Sequence, residues 1–277
     1  DLDQLVGVLL SDLPDVPSSD KTMKIVPDLA LFGVPWAALH LPGDRQSLID
    51  RGPLAILDQP APVSHVDRFH HRDGRLLAVG ANGNAAVESA GLKTLQNAEP
   101  EARDVAAAWP ADQATLRIGA DAANALIQDD NLASYEAIHV ASHALVLRGR
   151  PEKSMLLLAG EEHEALTADA IRALDLDAAF VFLSSCEAGG GREMRAEYAG
   201  LARSFLDAGA DAVVAPLIVV DDEAAKAMAA RFYAHWLSGQ SVPAALRAAQ
   251  LDLRHGDERW AHPFFWAFYQ PIVAAAP

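Results

Sequence analysis

His143 and Cys186, 43 residues apart, are the two side chains in this sequence best suited to covalent chemistry. A thiolate attacks a carbonyl carbon; an imidazole within reach takes the thiol proton and returns it to the leaving amine. That is how cysteine peptidases transfer an acyl group. The competing reading makes Cys186 a packing residue and His143 a satisfied core histidine. Position weighs against it: AIHVAS (137–142) runs straight into His143, AFVFLSS (179–185) runs straight into Cys186, and a Gly-rich stretch follows the cysteine. Were the two strands neighbours, their ends would lie about 5 Å apart at the backbone, close enough for both groups to address one substrate.

Other constellations compete less well. Cys186 and Arg192 have the C-x5-R spacing of a cysteine phosphatase loop, but Glu187 puts an anion where phosphate would sit and Glu193 follows the Arg. His139 and His143 form H-x-x-x-H, a zinc spacing on a helix; on a strand four residues span about 13 Å, too far for one ion. His139 therefore reads as a buried strand residue. Gly80 to Asn84 lacks the remaining glycines and the Lys of a nucleotide loop and reads as a turn. Glu161, Glu162 and Glu164 around His163 read as a solvated hairpin tip. No metal or cofactor is expected.

The reactive pair needs a scaffold, and the chain beyond residue 74 supplies alternating strands and helices. Strands are predicted over 75–80, 114–119, 137–142, 155–159, 179–185, 212–220 and an aromatic run near 264–269. Helices are predicted over 99–109, 122–132, 167–173, 197–208, 222–237 and 242–255. This alternation implies an α/β fold, a mostly parallel sheet with helices on both faces, whose ligands bind beyond the carboxyl ends of the strands. Residues 1–74 read as an extension: a short helix on Leu2, Leu5, Val6, Leu9 and Leu10, a Pro- and Ser-rich loop, small strands and hairpins from 23 to 60, then another loop. The division expected is 1–74 and 75–277.

Composition bounds the remaining classes. A chain of 277 residues with 51% hydrophobic and 22% charged residues builds a core without staples. The 22 basic and 38 acidic residues leave a net charge of −16, which repels nucleic acid phosphates and anionic lipid heads. No uninterrupted apolar run approaches the ~18 residues of a membrane-spanning helix, so no membrane insertion is expected. One cysteine excludes an internal disulfide and makes a reducing, cytoplasmic compartment the default. The chain does not begin with Met and is read as a piece of a longer protein, with room for an upstream regulatory domain or an activating partner.

Several ordered motifs give the sequence a family likeness. AIHVASHALVLR (137–148), AFVFLSSCEAGGG (179–191), AEYAGLARSFLDAGADAVVAPLIVV (196–220), WAHPFFWAFY (260–269) and the earlier IVPDLALFGVPWAAL (25–39) together resemble the CHAT domain, a caspase-like peptidase module. The resemblance implies a three-layer caspase-like sandwich in which Cys186 is nucleophile and His143 general base and acid. It implies that the backbone N–H groups of Ala144 and Cys186 hold the developing oxyanion, and that Ser184, two residues before the cysteine, lines the pocket for the side chain preceding the scissile bond. The family usually has Gly where this chain has Ala144, which still supplies an N–H but reaches positive φ less cheaply. Ser142, Ser185 and Ala188 replace the family's Thr, Ala and Thr, and Leu217-Ile218 its Leu-Trp. Asp221 and Asp222 follow the next strand; they either recognise a basic substrate residue or charge the start of a helix. The substrate implied is a protein or peptide, cut as a regulated switch, for instance in bacterial defence or cell death, sometimes to release a pore-forming protein. The alternative is a non-catalytic interaction module on the same fold.

Overall fold

An apolar run such as FVFL (180–183) cannot leave either face to water, so it belongs in the middle of a sheet covered on both sides. The computed structural model describes residues 18–28, 31–41, 43, 46–57, 74–83, 87, 92–147, 150–158, 165–187 and 195–274, and there those four residues are fully buried in a central strand. The strands are β1 (Met23–Ile25), β2 (Leu54–Leu57), β3 (Arg75–Gly80), β4 (Ala114–Ile118), β5 (Tyr135–Leu145), β6 (Met155–Leu157), β7 (Leu166–Thr167), β8 (Phe180–Glu187), β9 (Ala212–Pro216) and β10 (Tyr269–Val273). They form one sheet in the order β1-β2-β10-β9-β8-β5-β3-β4, with β6 on β5 and β7 on β6. Among the strands of the described residues, only the β9–β10, β5–β6 and β6–β7 pairs are antiparallel.

The helices are α1 (Leu48–Arg51), α2 (Ala98–Ala108), α3 (Ala168–Arg172), α4 (Arg195–Asp207), α5 (Asp222–Leu237) and α6 (Val242–Gly256). Helices α2, α5 and α6 pack in succession as one layer, and α3 packs with α4 as another, so the expected α/β sandwich is present. Phe180 and Phe182 of β8 meet Phe232 and Tyr233 of α5 at ring separations of 5.0–5.8 Å, aromatic contacts that add to the apolar area they bury. At the end of α4, Gly209 adopts φ +112°, and its N–H and that of Ala210 return to the carbonyls of Leu206 and Phe205. A Cβ at Gly209 would sit 2.1 Å from the carbonyl oxygen of Leu176, so only glycine closes this helix.

Four expectations need correction. Residues 122–132 form no α-helix: 3-10 turns and bends take their place, because Asp129 bonds the Asn131 N–H and the Tyr135 hydroxyl instead of letting a helix continue. The strand expected over 212–220 stops at Pro216, with one further backbone bond, from the Leu217 N–H to the Phe268 carbonyl at 3.0 Å, beyond it. The aromatic run starts as a 3-10 turn, Pro263–Phe265, with the His262 ring accepting from the Phe264 N–H, and the strand begins only at Tyr269. Within residues 23–60, β1 and β2 are parallel neighbours rather than a hairpin. The sheet also runs across the expected division at residue 74, since β2 pairs with β10. The helix expected over residues 2–10 and the loop over 60–73 lie outside the described residues.

Candidate active site

Strands β5 and β8 run parallel in a register that sets Ser142 against Ser185, His143 against Cys186 and Ala144 against Glu187. Adjacent strands lie about 4.8 Å apart, so the backbones of the two sequence-selected residues are immediate neighbours. Both strands continue past the ends expected from sequence, to Leu145 and Glu187. Strand β3 leaves β5 opposite Ala141, and β6 takes its place with His143 against Leu157 and Ala144 against Leu156. The segment 188–194, including Arg192 of the C-x5-R spacing, lies outside the described residues, as do Glu161, Glu162, His163 and Glu164.

His143 is 5% exposed, and its Nε2 lies 2.8 Å from the carbonyl oxygen of Lys93. A carbonyl only accepts, so the bond assigns the proton to Nε2 and leaves the basic lone pair on Nδ1. An imidazole held in that tautomer is oriented to remove a proton through Nδ1. Ala144 is fully buried and has no positive φ; strand partners flank it on both sides. Ser184 lies opposite Ala141, 5% exposed, and its hydroxyl has no hydrogen-bond partner among the described residues.

The two aspartates do different work from each other. Asp221 is the N-cap of α5, its Oδ1 accepting from the Ala224 N–H at 3.0 Å. Asp222 Oδ2 accepts from the N–H groups of Gln96 and Asn97 and from Asn97 Nδ2, each at 3.0 Å, ahead of α2. Both carboxylates thus serve helix starts, the second of them in another element 125 residues away.

With this arrangement in view, comparison with known families is decisive: the model of the CHAT domain matches residues 2–274. The chain belongs to the CHAT domain family. Among solved structures, the CHAT domain is similar to that described as the Arg-specific cysteine proteinase gingipain R, at 9% identity and a TM-score of 0.46, covering 95% of this chain and 79% of that one. No curated protein matches.

One partner in this CHAT domain carries no sequence signal. The Lys93 partner of His143 is a main-chain carbonyl, which any residue would supply. Beneath the site, His139 is fully buried, stacks on Phe182 at 5.6 Å and meets the edge of Tyr233 at 5.6 Å. Its Nε2 lies 3.2 Å from Oε1 of Glu101 on α2, without the alignment of a hydrogen bond. Burial, and then the charge of Glu101, push the Tyr233 hydroxyl well above the usual tyrosine range. Among the described residues no group of three or more His, Cys, Asp or Glu is placed to hold a metal ion, and no helix is long and apolar enough to cross a membrane.

Proposed function

We propose that this CHAT domain is a cysteine endopeptidase that cuts a partner protein. The observation carrying the reading is the register of His143 against Cys186, with His143 Nε2 bonded to the Lys93 carbonyl. Nδ1 of His143 takes the Cys186 thiol proton; the thiolate adds to the scissile carbonyl carbon; the amine leaves with the proton from His143. Water, deprotonated by the same imidazole, then hydrolyses the thioester. The N–H groups of Cys186 and Ala144 are the oxyanion donors of this proposal. Ser184 lines the pocket for the residue before the cut and brings no charge to it. With Asp221 and Asp222 engaged as caps, the reading assigns no basic preference there. A cytoplasmic compartment follows from the single cysteine, and a role as a regulated switch in bacterial defence or cell death from the family likeness.

The test is incubation with candidate partner proteins, read by mass spectrometry of new N-termini. Wild-type protein should create a discrete new terminus that Cys186→Ala and His143→Ala each abolish, since residues acting as a unit fail together. Cutting that persists in either variant rejects the dyad.

A non-catalytic interaction module on the same fold is the second reading. It is favoured by Ala144, whose neighbours on both sides are strand partners, so that its backbone faces β6 and β8 rather than an open sheet end.

A further inference from the structure

We infer that Asp222 is a positioning residue for His143, acting through the segment 93–97; the inference rests on the Cys186–His143 reading above. One carboxylate oxygen, Asp222 Oδ2, receives three N–H donors from Gln96 and Asn97, each at 3.0 Å. Charge-assisted bonds of this kind are stronger than those between neutral groups. Three residues before Gln96, the Lys93 carbonyl meets His143 Nε2 at 2.8 Å. Three residues span at most about 10 Å of chain, so the carboxylate fixes the backbone within one short reach of the imidazole.

The opposite side of the same segment is tied as well. The Leu95 N–H donates to the Asn82 carbonyl at 2.7 Å, and Asn82 Oδ1 accepts from the Glu99 N–H at 2.9 Å. Segment 93–97 is therefore a strap held at Leu95 by the residues after β3 and at Gln96 and Asn97 by α5. Its outward product is one carbonyl aimed at Nε2. Asp221 already caps α5, so Asp222 is not needed for that purpose. An ion pair, Lys226 Nζ to Asp104 Oδ2 at 2.9 Å, clamps α5 to α2 away from the strap and provides a control.

If Asp222 positions the strap, removing its carboxylate frees the Lys93 carbonyl, and His143 redistributes between its two neutral tautomers. An imidazole protonated on Nδ1 cannot take the Cys186 proton. An Asn at 222 keeps an acceptor oxygen and should restore the arrangement; an Ala or Ser should not.

The experiment uses the full chain labelled with 15N-histidine, the His143 signals being identified by their loss in His143→Gln. Wild type and Asp222→Asn should show the tautomer protonated on Nε2, whereas Asp222→Ala should show a mixture. In parallel, iodoacetamide is the probe of Cys186, the only thiol in the chain. Its neutral-pH alkylation rate should fall about tenfold in Asp222→Ala, on the scale expected when a reacting group is misplaced by less than 1 Å, and recover in Asp222→Asn. Lys226→Ala should change neither readout, although it loosens the same helix pair. If Asp222→Ala does not fold, Asp222→Ser is read in its place.

An unaltered tautomer and alkylation rate in the Ala or Ser variant overturn the inference, whatever happens to the melting temperature. So does an equal loss in Asp222→Asn, which would mean that the charge at residue 222, and not an acceptor oxygen for the strap, sets the readouts. Neither readout requires a substrate. Absence of proteolysis by the wild type would therefore defeat the peptidase reading while leaving the tautomer result to decide the role of Asp222.

Discussion

At the scale of single residues, Ala144 stands directly after His143, between strand partners on both sides. Its backbone is ordinary strand, with no positive φ, and its methyl group is fully buried. Glycine is thus not demanded by the conformation of residue 144. Ala144→Gly should retain proteolysis while lowering stability by about 0.5–1 kcal/mol, the usual cost of glycine inside a regular element. Urea denaturation alongside a cleavage assay checks both halves; a gain in stability would mean that the methyl group is strained. Much of the site was legible at this scale because His143 and Cys186 each end an apolar run, and parallel pairing does the rest. Lys93 was not legible, since a carbonyl looks alike in every residue. Asp222 was visible but underread: its position announces the start of α5, while its hydrogen bonds go to a segment that only the folded sheet brings near.

At the scale of elements, the contact between β3 and α2 governs where the strap ends. Gly80 closes β3, and a Cβ added there would lie 2.8 Å from both the Ala98 carbonyl oxygen and the Ala102 Cβ, and 2.9 Å from the Glu99 Cα. These are backbone and short side-chain atoms, which cannot swing aside. Gly80→Ala should push α2 off the sheet at a cost of about 1–3 kcal/mol, typical of overpacking, and lower activity because the strap leads into that helix. Thermal unfolding and the cleavage assay test this; an unaffected melting temperature would show that α2 docks less tightly than described. The alternation of strands and helices could be read from sequence because buried parallel strands are apolar throughout and amphipathic helices are not. Residues 122–132 misled because their Ala and Leu content suits a helix, while Asp129 spends its carboxylate on the Asn131 N–H and the Tyr135 hydroxyl. The aromatic run misled in the same way, since strand-like side chains sit on a His-Pro pair that starts a tight turn.

At the scale of the whole molecule, the N-terminal segment is fastened to the last helix. Arg247 of α6 donates to the carbonyls of Ile49 and Asp50, and Arg254 donates to Ser47 Oγ and to both carboxylate oxygens of Asp50 at 3.0–3.1 Å. Burial alone would raise the Asp50 carboxyl, but the Ser47 hydroxyl and N–H together with Arg254 hold it below the usual aspartate range. The lowered value fixes the sign: this stabilisation is present above the unfolded value near 3.9 and is lost as pH falls through the folded one. Asp50→Asn should therefore cost about 1 kcal/mol at pH 7, with the gap from wild type closing below about pH 4. Melting curves across that range decide it; a gap that persists in acid would assign the effect to packing.

The buried Tyr233 has an optical consequence. The chain carries four tyrosines. In an alkaline titration followed by phenolate absorbance, Tyr233 should stay dark while the protein is folded, because ionising it places an anion in an apolar layer beside Glu101. Its raised value also means that the folded state forfeits stability as pH climbs past the ordinary tyrosine range. The late rise in absorbance would then arrive together with the loss of the fold, so that Tyr233, joined by Tyr135, whose hydroxyl burial also pushes up, reports by colour the moment the sheet and its helices part.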